Sequence, residues 1–434
     1  MSGNDKQLET PLPELDLFAH PLVQKSVIET LDTVHNPTTY SRSWSTSNII
    51  EFVIDLAENE YMLMHETSVY LGVLFTKKGE GSWTPADAAE AKLVTPVNNL
   101  LHSAIDRVQI KIGTSCHLVD ISDYTYKAYL STLLGYNETA KDTHLRCAGW
   151  EPIVENRRSH YIKELVEAKA HLRGKLFYDF EHQCKGLIGG SRITIKITLK
   201  SPKFFLMVDK SSKGSFGAEL EDVRLYVKRY RIADSKVKAH NKALQTVNAK
   251  YPLTTSEIKT FSMMTGSTVL HCDNVVTGKM PTRMFLGFVS KNSYTGTFDS
   301  DPFMFEPFDI QSISTYVDGV QVPNRPCQLN IEEGDVVDAY YTLFETLNQH
   351  DADTVCEITM DEWMEHSCIF GFNYTPDHSC GYSMGGHWNP IKQGHLRIEV
   401  RFAKPLPHDV YMIAFCEFDT LYEIDEFKNL ILKR

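Results

Sequence analysis

The segment Leu396–Phe402 alternates apolar and charged side chains without exception: Leu396, Ile398, Val400 and Phe402 against Arg397, Glu399 and Arg401. A period of two places the apolar set on one face of a pleated strand and the charges on the other. The same pattern recurs at Ile193–Leu199 and at Ile50–Leu56, where Ile50, Phe52, Ile54 and Leu56 interleave with Glu51, Val53 and Asp55. These strands lie in both halves of the chain. They predict antiparallel sheets with one face on a core and one on water.

At 434 residues the chain exceeds one ordinary core, so two β domains are expected. No apolar run approaches the roughly 18 residues that span a bilayer, and no apolar signal core follows the polar start Met1–Lys6. Without such a signal, the glycosylation tripeptides at Asn137 and Asn373 carry little weight. The nine cysteines form no CxxC pairs, which suits reduced thiols in the cytosol or nucleus. A net charge of −12 argues against a broad nucleic-acid-binding surface.

Residues 1–45 read as an N-terminal arm, broken by Pro11, Pro13, Pro21 and Pro37 and anchored by Leu15, Leu17, Phe18, Leu22 and Val23. It either ties subunits together or packs on its own domain. A first β domain is expected at 46–232. Its strand signals are Ile50–Leu56, Val69–Phe75, Val108–Ile112, Ile193–Leu199, Phe204–Val208 and Val223–Tyr230. Tyr126–Leu134 has helical spacing, and Glu151–Arg173 reads as mostly helical and exposed. Ala233–Lys250 reads as an amphipathic connecting helix closed by Pro252, with a basic face of Lys236, Lys238, His240 and Lys242, so 233–252 is the linker. The second domain, 253–434, carries strand signals at Ile258–Met264, Arg283–Val289, Ile310–Val317, Val336–Leu343, Leu396–Phe402 and Val410–Phe415. Turns such as Asp318-Gly319 separate them.

Catalytic constellations are scarce. There is no phosphate loop, HExxH or GxGxxG. Gly381-Tyr382-Ser383-Met384-Gly385 matches GxSxG, but Gly386, His387, Trp388, Asn389 and Pro390 make a poor following helix, so a glycine-rich loop is the better reading of Ser383. His366, Cys368, His378, Cys380 and His387 could hold zinc by residue type, but their spacing fits no usual zinc hairpin. Tyr294, Trp363, Tyr382 and Trp388 are candidates for stacking on sugars, or are core packing. No catalytic, cofactor or metal residue is assigned.

Taken in order, several segments resemble one family. They are Pro96-Val97-Asn98-Asn99-Leu100-Leu101-His102-Ser103, then Tyr124–Leu134, Leu172-Arg173-Gly174-Lys175-Leu176, Asp179-Phe180 and Leu187-Ile188. In the second half come Lys279–Arg283, Tyr294-Thr295-Gly296-Thr297, Asp301–Phe305, Tyr316-Val317-Asp318-Gly319, Val322-Pro323, Asn373–Asp377, Gly394–Arg397, Glu417-Phe418-Asp419 and Glu423-Ile424-Asp425. The chain resembles the major capsid protein (hexon) of Polinton/Maverick elements and adintoviruses, a double jelly-roll family. The Gly385–Trp388 turn has no place in that pattern.

The resemblance implies an all-β fold of two tandem eight-stranded jelly rolls, and a structural role rather than an enzymatic one. Three chains would form a pseudo-hexameric capsomer that tiles an icosahedral capsid, with a single jelly-roll penton protein as a further partner. The virion is the implied location, with assembly in the host cytoplasm or nucleus. The arm and the tail Glu423–Arg434 are expected at inter-subunit or inner-surface contacts. A carbohydrate- or receptor-binding jelly roll is the alternative, and a serine hydrolase using Ser383 a weaker one.

Overall fold

The computed structural model of the chain describes residues 23–44, 48–78, 83–86, 94–113, 118–151, 169–208, 214–379, 387–390 and 392–433. It is mostly β. The first half holds β1 (Val27–His35), β2 (Ile49–Asp55), β3 (Ser68–Lys78), β4 (Ile105–Ile112), β5 (Leu118–Ile121), β6 (Lys169–Lys175), β7 (Arg192–Leu199) and β8 (Phe216–Ile232). The second holds β9 (Ala249–Met263), β10 (Val269–Lys279), β11 (Arg283–Ser290), β12 (Ile310–Val317), β13 (Val320–Gln321), β14 (Ile369–Asn373), β15 (Gln393–Phe402) and β16 (Val410–Ile424). Shorter strands add to these sheets, and Cys327–Gln328 continues along β12 beyond β13.

Pairing within each half follows one plan. The first half orders its sheets β1-β8-β3-β6 and β2-β7-β4-β5, all antiparallel. The second orders them β9-β16-β11-β14 and β10-β15-β12-β13. In both, strands one, eight, three and six face strands two, seven, four and five, which is the eight-stranded jelly roll. No sheet of the described residues mixes strands from the two halves.

The alternating segments behave as their chemistry dictates. Ile50, Phe52 and Ile54 are buried while Asp55 is exposed, and Leu396, Ile398, Val400 and Phe402 are buried while Arg397 and Arg401 are exposed. Asp318 and Gly319 both have positive φ (51° and 82°) and close the two-residue hairpin from β12 to β13. That geometry matches the right-handed strand twist.

Several expectations are corrected. Val336–Leu343 is not a strand: Val337–Leu347 is an α-helix. Val336, Ala339, Leu343 and Leu347 are the buried apolar residues, with Thr346 buried beside them, and their spacing is helical. Phe204–Val208 is a helical turn, Pro202–Phe205, before a short strand, Leu206–Val208, because Pro202 favours the first helical position. The end of Glu151–Arg173 is strand β6, and 152–168 lie outside the described residues. The connecting helix stops at Leu244, and Pro252 does not close it. Pro252 lies inside β9, an edge strand that tolerates a missing N–H. Val27–His35, within the segment read as an arm, is the first strand of the first roll; residues 1–22 lie outside the described residues. In the tail, Leu430–Lys433 folds back and pairs with β16.

Candidate assembly surfaces

The seam between the rolls is built around α1 (Tyr124–Gly135), which follows β5. Tyr126–Leu134 was expected to be helical, but its helix is buried on almost every side. The first roll covers part of α1 and the second roll covers the rest. Tyr129 stacks on Phe303 at 3.9 Å between ring centres, with 2° between planes. Tyr126 stacks on Tyr294 at 5.8 Å, and Tyr294 continues to Tyr411 at 4.3 Å. Phe180 stacks on Tyr422 at 5.5 Å. Each such pair adds about 0.5–1.5 kcal/mol beyond the area it buries.

Several polar groups in the seam are matched across or beside the helix. Lys127 Nζ lies 3.2 Å from Asp179 Oδ1, and the Tyr422 hydroxyl donates to Asp179 Oδ2 at 3.1 Å. Lys141 donates to the carbonyls of Leu133 (3.0 Å) and Cys356 (2.8 Å). Burial lowers the Lys141 pKa. Gln349 donates to Leu134 O at 3.2 Å, and Gln183 donates to Pro252 O. Beside them runs a cleft of about 460 Å³, walled by Leu130, Leu134 and Glu181 from one roll and by Arg283, Phe415 and Glu417 from the other. Arg283 Nη2 pairs with Glu417 Oε2 at 2.6 Å, and burial raises the pKa of Glu181. Sequence reasoning placed the helix but missed this seam, because its partners lie far apart in sequence, from 69 residues for Gln183 and Pro252 to 243 for Asp179 and Tyr422.

The outer face of sheet β1-β8-β3-β6 carries no such cover among the described residues. It forms a groove of about 900 Å³ lined by Thr33, Ser68, Tyr226, Lys228, Arg173 and Lys175, with Cys147 at its side. Arg173 lies over the Tyr226 ring at 3.8 Å, and Lys228 lies 3.4 Å from Glu66. At the groove floor, His102 is fully buried. Phe177 N–H donates to the Tyr124 hydroxyl (3.0 Å), which lies 2.9 Å from His102 Nδ1. The hydroxyl proton therefore goes to Nδ1, and the imidazole is neutral, its pKa depressed to about 3 by burial.

The sequence candidates for chemistry are dispersed. Ser383, Tyr382 and Cys380 lie outside the described residues. Cys368 is buried in the core at the start of β14, and burial pushes its thiol up. His378 is exposed, and His387 Nε2 lies 2.8 Å from Asp377 Oδ2. No group of three or more His, Cys, Asp or Glu suited to a metal occurs among the described residues. Trp363 is fully buried, with its Nε1–H bonded to Ile369 O at 2.9 Å, and Tyr294 is committed to the seam, so neither is free to stack on a sugar. The basic connecting helix, α2 (Asp234–Leu244), buries Val237 and Leu244 and leaves its lysines in solvent. No described helix is long and apolar enough to cross a membrane.

The fold is the double jelly roll of viral major capsid proteins. A chain of the Sputnik virophage superposes with a TM-score of 0.62 at 10% identity, covering 98% of this chain and 92% of that one. A chain of the PBCV-1 virus capsid gives 0.60 at 10% identity, with 96% and 99% covered. The mavirus major capsid protein gives 0.54 at 9% identity, with 98% and 93% covered. In sequence, the uncharacterized protein F54H12.2 of Caenorhabditis elegans is 24% identical over 395 residues, 88% of this chain and 92% of that protein. No family model matches.

Proposed function

We propose that this chain is the major capsid protein of a Polinton/Maverick element or adintovirus. The observation that carries the reading is the repetition of one complete jelly-roll plan in both halves of a single chain. Three chains then supply six similar rolls, a block that tiles a hexagonal lattice. A nematode relative of matching length fits an element resident in animal genomes. We assign the division as arm 1–45, first roll 46–232, linker 233–252 and second roll 253–434, with β1 and the start of β9 reaching past those limits.

The mechanism is assembly through shape and buried area, on the order of 2,000 Å² or more per stable interface. No bond is made or broken. A single jelly-roll penton protein would fill the five-fold positions, and the virion is the resulting location. The test is sedimentation of the purified chain with electron microscopy of the product. The expected species is a trimer at three times the 49.4 kDa chain mass, or closed shells built from it. A strict monomer at micromolar concentration overturns the reading.

A further inference from the structure

The two rolls share a plan, but their equivalent faces are covered differently. In the second roll, the outer face of β9-β16-β11-β14 lies against α1 and the Phe177–Gln183 turn of the first roll, across the cleft walled by Arg283, Phe415 and Glu417. In the first roll, the equivalent face of β1-β8-β3-β6 is the open groove holding Tyr226, Lys228 and Arg173. Strand for strand these are the same site, covered in the second roll by the first and left open in the first roll among the described residues.

We infer that a second copy of this chain fills the groove, and that it does so with the helix α3 (Val337–Leu347) of its second roll. The inference rests on the capsid-subunit reading and names its subunit contact. Helix α1 sits between the fifth and sixth strands of the first roll, and α3 sits between the fifth and sixth strands of the second. Helix α1 is buried because its own roll covers one side and the second roll covers the rest. Helix α3 keeps an uncovered stripe, with Val337 57% and Tyr341 52% exposed one turn apart.

The charges also match. Asp338 and Glu345 are exposed beside that stripe, and Glu333 and Asp335 are exposed just before the helix; Arg325 pairs with Asp338 and Lys404 with Glu332. The groove presents Arg173, Lys175 and Lys228 against the carboxylates of Glu66 and Asp32. An aromatic and arginine floor meeting a tyrosine from a partner is the composition of an interface centre. Because groove and helix are different surfaces, the contact is head to tail, and repeating it generates a ring.

The test uses the full chain in two variants. One carries Val337→Asp with Tyr341→Asp, and the other carries Lys175→Glu with Lys228→Glu. Met264→Asp, at a position 77% exposed elsewhere, is the control. Wild type and control are expected at three times 49.4 kDa, and each variant alone at 49.4 kDa, with association weakened about thirty-fold or more per contact. An equimolar mixture of the two variants should form one 1:1 pair that grows no further, since only one intact helix and one intact groove remain. Pairing also proves that both variants are folded. Thiol labelling gives a second readout: Cys147, beside the groove, should react more slowly than exposed Cys184 in the trimer and equally fast in the variants. A trimer that persists in either variant, or a mixture that fails to pair, overturns the assignment and leaves the capsid reading standing. A monomeric wild type overturns the capsid reading itself.

Discussion

Lys127 and Asp179 form an ion pair whose side chains are only 3% and 7% exposed, with Asp179 also held by Tyr422 from the opposite roll. Removing one partner strands the other as a buried charge, which costs far more than the pair contributes. Lys127→Met should destabilise the chain by about 3–5 kcal/mol in denaturant unfolding, and Lys127→Met with Asp179→Leu should recover most of that loss. A single variant within about 1 kcal/mol of wild type would show that water reaches the pair.

The stack of Tyr129 on Phe303 joins the rolls without charge. Replacing either residue by alanine should cost about 3–5 kcal/mol. The double variant should reveal a coupling of about 0.5–1.5 kcal/mol. Strict additivity would mean that the rings contribute only their separate burial.

His102 makes stability depend on pH. Its pKa is about 3 in the folded chain and ordinary, near 6.5, when unfolded, so the native state binds fewer protons between these values. The stabilisation is complete above about pH 6.5 and declines by about 1.4 kcal/mol per pH unit as pH falls toward 3. Urea unfolding at pH 6.5 and 4.5 should show wild type losing about 2–3 kcal/mol more than His102→Gln. Parallel losses in the two proteins would place the imidazole in contact with water.

Burial also silences most of the thiols. Cys416 is pushed up to about 12 and Cys272 to about 11, while Cys147 and Cys184 are exposed. The thiolate is the reactive form, so an alkylating reagent at pH 8 should modify Cys147 and Cys184 in the native protein. Cys272, Cys368 and Cys416 should react only on unfolding. Peptide mass mapping reads the order, and early modification of Cys368 would contradict its place in the core.

Period-two segments were legible because one face of each strand meets water: β2, β7 and β15 show their burial in their composition. Helix α3 was not, since its β-rich stretch Val336–Leu343 satisfies a strand pattern locally, and only the reach to Leu347 separates a helix from it. Pro252 misled for a related reason. Proline stops a helix from sequence alone, but whether it sits on a sheet edge depends on strands more than 150 residues away. The metal and sugar candidates rested on residue type, and packing assigned Cys368, Trp363 and Tyr294 to the interior. The seam and the groove were invisible because they are relations between two rolls.

The position of α1 has a consequence for synthesis. Its rings at Tyr126 and Tyr129 meet Phe204 and Trp150 within their own roll, but gain their second-roll partners only at Tyr294 and Phe303, well over 150 residues downstream. While the ribosome makes that intervening stretch, the nascent first roll carries an aromatic ridge open on the side that the second roll will cover, a hazard of sticking to neighbouring chains. The same delay acts as a timer, because a truncated polypeptide lacks the cover and presents a surface that a finished subunit never shows.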